Sequence, residues 1–173
     1  MTVTISGDTG ISAVQAGAVE SGDLPAGSVI QVVQGSTNTQ INVSTTSYTD
    51  TGLSAAITPS LTSSKILILI DQHIFLKRNG DVNIGSGFRL LRDSTVVAGG
   101  ESLTDTQLTV QNAGNLFMEL LVRRNSQYLD SPSTTSEVTY KTQGRPDQTS
   151  NGGLVIYQHN SIVSHMTLME IAG

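Results

Sequence analysis

Three histidines, His73, His159 and His165, are the side chains in this chain best suited to proton transfer or metal binding. No two stand at the spacing of a local metal-ligand pair. His159 and His165 are six residues apart, too far to chelate without help from the fold. The sequence therefore predicts ordinary strand or loop histidines. Serines are frequent, but no Gly-x-Ser-x-Gly elbow presents one as a nucleophile. Asp71, Asp81, Asp93, Glu101, Asp105, Glu119, Asp130, Glu137, Asp147 and Glu170 are scattered, and few aromatic residues are available to line a sugar cleft between any two of them. Residues 80–87 (GDVNIGSG) are glycine-rich but lack the Lys-Ser/Thr pair and the helix of a phosphate loop. They read as a hairpin or a long loop. No calcium loop of the EF-hand type is present. The expectation is a protein that is not an enzyme, with no catalytic residue, cofactor or metal.

The elements that would position such residues are strands. Ser and Thr make up roughly a quarter of the 173 residues, and both, like glycine, are poor helix formers. Charged residues are 13% of the chain and the net charge is −5, which argues against an electrostatic nucleic-acid binder. No polybasic stretch suits an anionic membrane surface, and no apolar run approaches the length of a bilayer span. With no cysteine there is no disulfide frame and no thiolate site. The N-terminus lacks a basic segment followed by an apolar one, so a soluble chain made in a cytoplasm is expected.

Residues 1–27 differ from the rest. Single apolar residues (Val3, Ile5, Ile11, Val14, Val19 and Leu24) are separated by glycine and small polar residues. Such a segment buries too little apolar surface to offset its ordering entropy alone. It reads as a tail, or as an arm that orders against another protein, with residues 23–27 (DLPAG) as the hinge. From residue 28 to 173 the pattern is strand, turn, strand. Strands are expected over 28–33, 53–58, 65–76, 88–92, 94–97, 116–122, 127–129, 137–143, 154–158 and 165–171. Turns are expected at Gly52, Asn79-Gly80, Asp93-Ser94 and Asn151-Gly152-Gly153, and a loop is expected to open at Gly99-Gly100. The basic doublets Lys77-Arg78 and Arg123-Arg124 read as solvated strand ends. About ten strands without α/β alternation predict an all-β fold: an antiparallel β-sandwich or jelly roll with an extended N-terminal arm.

One strand raises a problem. Residues 66–70 (ILILI) are apolar without a break. Alternation places Ile66, Ile68 and Ile70 on one face and Leu67 and Leu69 on the other. Leu168, Met169 and Ile171 repeat the pattern near the C-terminus. One face fills the core; the second needs a cover. That cover is either a loop or the arm of the same chain, or a neighbouring subunit. Burying the two leucines there is worth about 3–5 kcal/mol.

Several blocks resemble a β-domain of tailed-phage virion proteins, especially from phages of cyanobacteria and marine bacteria. They are residues 27–33 (GSVIQVV), 50–54 (DTGLS), 57–59 (ITP), 63–68 (SSKILI), 88–95 (FRLLRDST), 129–136 (LDSPSTTS) with Tyr140, and 167–172 (TLMEIA). Residues 1–11 (MTVTISGDTGI) are similar to the start of phage tail-fibre proteins. The resemblance implies a non-enzymatic virion component, usually multimeric and often trimeric, that is assembled in the host cytoplasm and anchored through its N-terminal arm. A short tail-fibre-like or tail-tip protein is the first reading. A capsid decoration protein is the alternative, because no fibre shaft precedes the head. A carbohydrate-binding or hydrolytic module acting on a host surface glycan is the second alternative. The expected partners are other virion proteins and copies of the chain itself, with a host glycan as a further candidate.

Overall fold

The computed structural model describes residues 20–79, 84–108 and 117–173. Ten strands pair antiparallel in two facing sheets. They are β1 (Val29–Thr37), β2 (Ile41–Val43), β3 (Thr49–Ile57), β4 (Lys65–Asn79), β5 (Ile84–Arg92), β6 (Thr95–Leu108), β7 (Phe117–Asp130), β8 (Val138–Pro146), β9 (Leu154–Tyr157) and β10 (Ser164–Ile171). The first sheet contains β1, β2, β4, β7, β9 and β10; the second runs β3, β8, β5, β6. The fold is thus an antiparallel β-sandwich.

Strand β4 organises the first sheet. Its whole length pairs with β7 on one edge. Its other edge is shared: β10 pairs with residues 65–71 and β9 with residues 74–77. At the seam between them, the backbone of His73 has no strand partner on this edge. The N–H of His73 instead donates to Ser164 Oγ at 2.9 Å, and its carbonyl accepts from the N–H of Gln158 at 3.3 Å. Gln158 turns the chain there with φ at 51°, a left-handed conformation unusual for a residue with a Cβ.

Alternation fills the space between the sheets. Ile66, Ile68 and Ile70 of β4 and Met166 and Leu168 of β10 meet Leu53, Ala55, Ile57, Phe88, Leu90, Val138 and Tyr140 of the second sheet. A smaller cluster of Val43, Ile74, Leu76, Val155 and Tyr157 lies beyond the seam. Gly144 belongs to this packing, since a Cβ there would stand 1.6 Å from the Tyr157 hydroxyl.

Between the two clusters lies a buried polar belt of Thr51, Gln72, Thr142, Gln158 and Ser164. Gln72 Nε2 donates to Thr51 Oγ1 at 2.7 Å, and Thr51 and Thr142 share a hydroxyl hydrogen bond. The Gln158 amide is satisfied when its nitrogen donates to the carbonyls of Thr39 and Thr51. Its oxygen then accepts from Gln72 Nε2 and Ser164 Oγ. Burying so many polar groups is tolerable because most of them satisfy one another, Gln72 Oε1 being the exception.

Several local expectations are corrected. Gly52 does not end a strand: with φ at 83° it sits in a register shift inside β3, a bulge of the kind a glycine permits. β6 runs on through Gly99 and Gly100 to Leu108, where a loop was expected. Residues 84–87 of the glycine-rich stretch belong to β5 rather than to a loop. β4 and β5 lie in different sheets, so the chain crosses the sandwich after Asn79; Gly80 of the turn expected there lies outside the described residues. The two short strands expected at 116–122 and 127–129 are one, β7. β2, three residues long, has no counterpart among the expected strands.

Ile68 is fully buried at the centre of the larger cluster. Ile68→Ala is expected to lower unfolding stability by about 3–5 kcal/mol, the range for truncating a large aliphatic side chain in a packed core. Urea denaturation followed by circular dichroism checks it.

Candidate functional site

Among the described residues, no group of three or more His, Cys, Asp or Glu side chains is placed to hold a metal. His159 stacks on the Phe75 ring, with centroids 4.3 Å apart. His165 and Asp71 are register partners on β10 and β4. Among the described residues, no helix is long and apolar enough to cross a membrane.

One member of each basic doublet departs from a solvated strand end. Arg78 is buried and donates to the Ser150 carbonyl, Ser150 Oγ and Gln148 Oε1. Arg124 is buried with its guanidinium 4.5 Å from the centre of the Phe88 ring. Arg123 pairs with Asp71 at 2.7 Å. Arg78 and Arg124 were misread because charge alone does not reveal which strand face a residue occupies.

Two carboxylates do structural work. Glu170 is fully buried at one end of the core. It accepts from the Ser60 N–H at 2.6 Å, Ser64 Oγ at 2.7 Å, Gln31 Nε2 at 2.6 Å and Ser60 Oγ at 3.2 Å. Burial alone would push its carboxyl up, but the donors from Ser64, Gln31 and Ser60 outweigh that and hold it below the ordinary value. The hydroxyl-rich loop before β4 is thus tied to the last strand. Asp130, closing β7, accepts from the Tyr140 hydroxyl at 2.7 Å and from Arg92 at 2.6 Å. Burial, and then the hydrogen bond to Asp130, raise the Tyr140 phenol well above its usual range.

The feature that stands out is the outer face of the first sheet. Register aligns its side chains in rows across β1, β10, β4 and β7. One row is Val32, Met169, Leu67 and Leu129, all apolar. The next is Gln34, Thr167, Leu69 and Gln127. A third is Ser36, His165, Asp71 and Asn125. Below the apolar row lie Val29 and Ile171, beside Lys65. Val32 is 56% exposed and Leu129 50%. Leu67, Leu69, Met169 and Ile171 are half-buried. Toward the far end, Leu121 stands beside Phe75 and is also exposed. An open groove of about 830 Å³ lies over the second and third rows. Its walls carry the amides of Gln34, Asn125 and Gln127, two hydroxyls, the Asp71 carboxylate and the His165 ring, with Leu69 between them, and Gln34 Nε2 donates to Thr167 Oγ1 at 3.0 Å.

The residues expected at a subunit contact or in the core divide between the faces. Ile66, Ile68, Ile70 and Leu168 point inward. Leu67, Leu69, Met169 and Ile171 lie on the outer face. Among the residues expected in the arm, Leu24 is half-buried near the start of the described chain. Val3, Ile5, Ile11, Val14 and Val19 lie outside the described residues. Val29, Val32 and Leu129 complete the apolar face and were not singled out from the sequence. Each belongs to a strand other than β4, and only register brings them beside Leu67 and Ile171.

No protein-family model matches the chain, and no curated protein matches it.

Two groups predict the response to acid. His73 lies on the outer side of β4, only 3% exposed, with neither ring nitrogen hydrogen-bonded. Burial, then the nearby Arg123 and His159, hold its pKa below the ordinary 6.5, against an opposing pull from Asp71. The unfolded chain therefore takes up a proton before the folded one does. The stability His73 confers is complete above about pH 6.5 and is lost as the pH falls below it. For Glu170 the same loss starts below the ordinary value of 4.5. Melting temperature is expected to fall in two stages on acidification. His73→Phe should remove the first stage. Glu170→Gln should shrink the second, to which Asp50 also contributes because burial of its carboxyl is outweighed by hydrogen bonds from Lys141 and Gln143, and should lower stability at pH 7 by about 2–3 kcal/mol, the worth of hydrogen bonds to a charged group. Melting curves between pH 7 and pH 3 check both.

Proposed function

We propose that this chain is a non-enzymatic structural component of a phage particle. In this reading it is a short tail-fibre-like or tail-tip protein that assembles as a multimer, a trimer by its family resemblance, and is anchored through residues 1–27. The observation that carries the reading is the apolar outer face of the first sheet. Soluble monomers rarely leave a continuous apolar patch on a sheet that water could have covered, whereas a part built to be assembled needs one. The sandwich supplies a rigid body for that face. Residues 24–28 join this body firmly: the Gly27 N–H donates to the Ala172 carbonyl at 2.7 Å, and the Ala172 N–H to the Ser28 carbonyl at 2.9 Å. An anchor placed before them would pull directly on β10 and, through it, on β4.

The groove beside the apolar row supports a second reading, a module that holds a host surface glycan. Its amide and hydroxyl walls suit the hydroxyl groups of a sugar, and Leu69 offers an aliphatic floor. A glycan array together with a reducing-sugar assay addresses that reading, and silence in both removes it.

Deletion of residues 1–24 is expected to leave a soluble, folded multimer that no longer joins the particle. Particle incorporation, measured by quantitative mass spectrometry, checks this. The same measurement separates a fibre or tip, present in few to tens of copies, from a decoration protein present in hundreds. Unfolding of the truncated body would refute the anchoring role.

A further inference from the structure

We infer that the outer face of the first sheet is the contact between copies of this chain, and that a second copy, rather than a different protein, covers its apolar row. The inference rests on the reading of an assembling structural protein and names the partner of its apolar face.

Size is the first argument. At about 3.3 Å per residue and about 4.8 Å between strands, the uncovered part of the face, formed by β1, β10, residues 65–71 of β4 and residues 125–130 of β7, measures roughly 500 Å² in projection, or about 1,000 Å² over two copies, the size at which specific interfaces begin. Composition is the second. The face has an apolar strip of Val29, Val32, Leu67, Leu129, Met169 and Ile171, bordered by the neutral side chains Gln34, Thr167 and Gln127. That is the layout of an interface core with a polar rim.

Charge is the third argument and the one that selects a second copy. The whole chain carries −5, so two copies repel each other over most of their surface. On this face the charges are arranged otherwise. Asp71 is paired with Arg123, Glu119 has Lys77 as its register partner on β4, and Lys65 stands at the lower edge. Two carboxylates meet three cations, so the face is close to neutral and slightly positive. Two copies can press such faces together without concentrating their negative charge. A strongly cationic or anionic partner would find nothing here to recognise. The amide-lined groove would be roofed by the second copy and keep bridging water, as interfaces commonly do.

The test uses the full chain, its Val32→Glu/Leu129→Glu double variant and a Ser54→Glu control. Val32 and Leu129 are exposed, so both replacements are compatible with the fold, which circular dichroism verifies. Ser54 is exposed on β3 in the other sheet. Light scattering after size exclusion, across a hundredfold range of concentration, should give a whole multiple of 18.2 kDa for the full chain and the control. The folded double variant should run at 18.2 kDa. A monomeric full chain, or a double variant that stays multimeric, overturns the inference. If the full chain is monomeric yet is found in particles, the inference fails while the structural role stands. If it is multimeric through this face but absent from particles, the role fails while the inference stands.

Discussion

The backbone of β4 is the constraint on which the rest of the molecule depends. A 15-residue strand in the middle of a sheet presents a long row of donors and acceptors on each edge, and all of them must be met. One edge is simple, because β7 matches it throughout. The other is met by two short strands from the last part of the chain, β9 and β10, separated by a turn. Where they part, the backbone of His73 would be stranded. Ser164 Oγ and the Gln158 N–H fill that gap. Gln158 reaches it by adopting a left-handed backbone, and its side chain then lies inside the sandwich.

The polar belt follows from that seam. A buried glutamine amide has several hydrogen-bonding positions and cannot be left among aliphatic groups without a cost of a few kcal/mol. Gln72, Thr51, Thr142 and Ser164 answer it and split the interior into a large and a small apolar cluster. Glu170 performs a similar service at the end of β10. It gathers Ser60, Ser64 and Gln31 and so holds the loop that feeds β4. Substituting members of these networks would unsettle strand pairing more than their size suggests, since each satisfies groups on two or three elements.

Alternation made much of this legible. The inward positions of Ile66, Ile68 and Ile70 and the outward positions of Leu67 and Leu69 follow from the period of a strand. The all-β class follows from composition and turn spacing. The Asp93-Ser94 turn joins β5 to β6 as its residues suggest. What failed were inferences from single glycines. Gly52 and Gly99 each carry a positive φ, but they serve as irregularities inside strands rather than as ends of them. A glycine signals a permitted conformation and does not say whether pairing stops there. The partners of Leu67 were also hidden. Val32 and Leu129 lie far from it in sequence, and no local pattern states register.

The two outer faces of the sandwich offer a comparison within one molecule. On the second sheet the outer positions are mostly polar: Asp50, Ser54, Lys141, Gln143 and Arg89, with Lys141 and Gln143 bonded to Asp50 and Arg89 bonded to Gln143, and Leu91 and Val96 form one apolar pair beside Lys141. That is how an antiparallel sheet with one wet face is normally built. The first sheet has the same backbone geometry and the same need for pairing, yet its outer row is Val32, Met169, Leu67 and Leu129. Strand formation does not demand this, because threonine or a charged residue at those positions would keep every backbone bond. Core packing does not demand it either, since these side chains point away from the core. An apolar row that neither the strand nor the core requires is what the proposed contact between copies would dry.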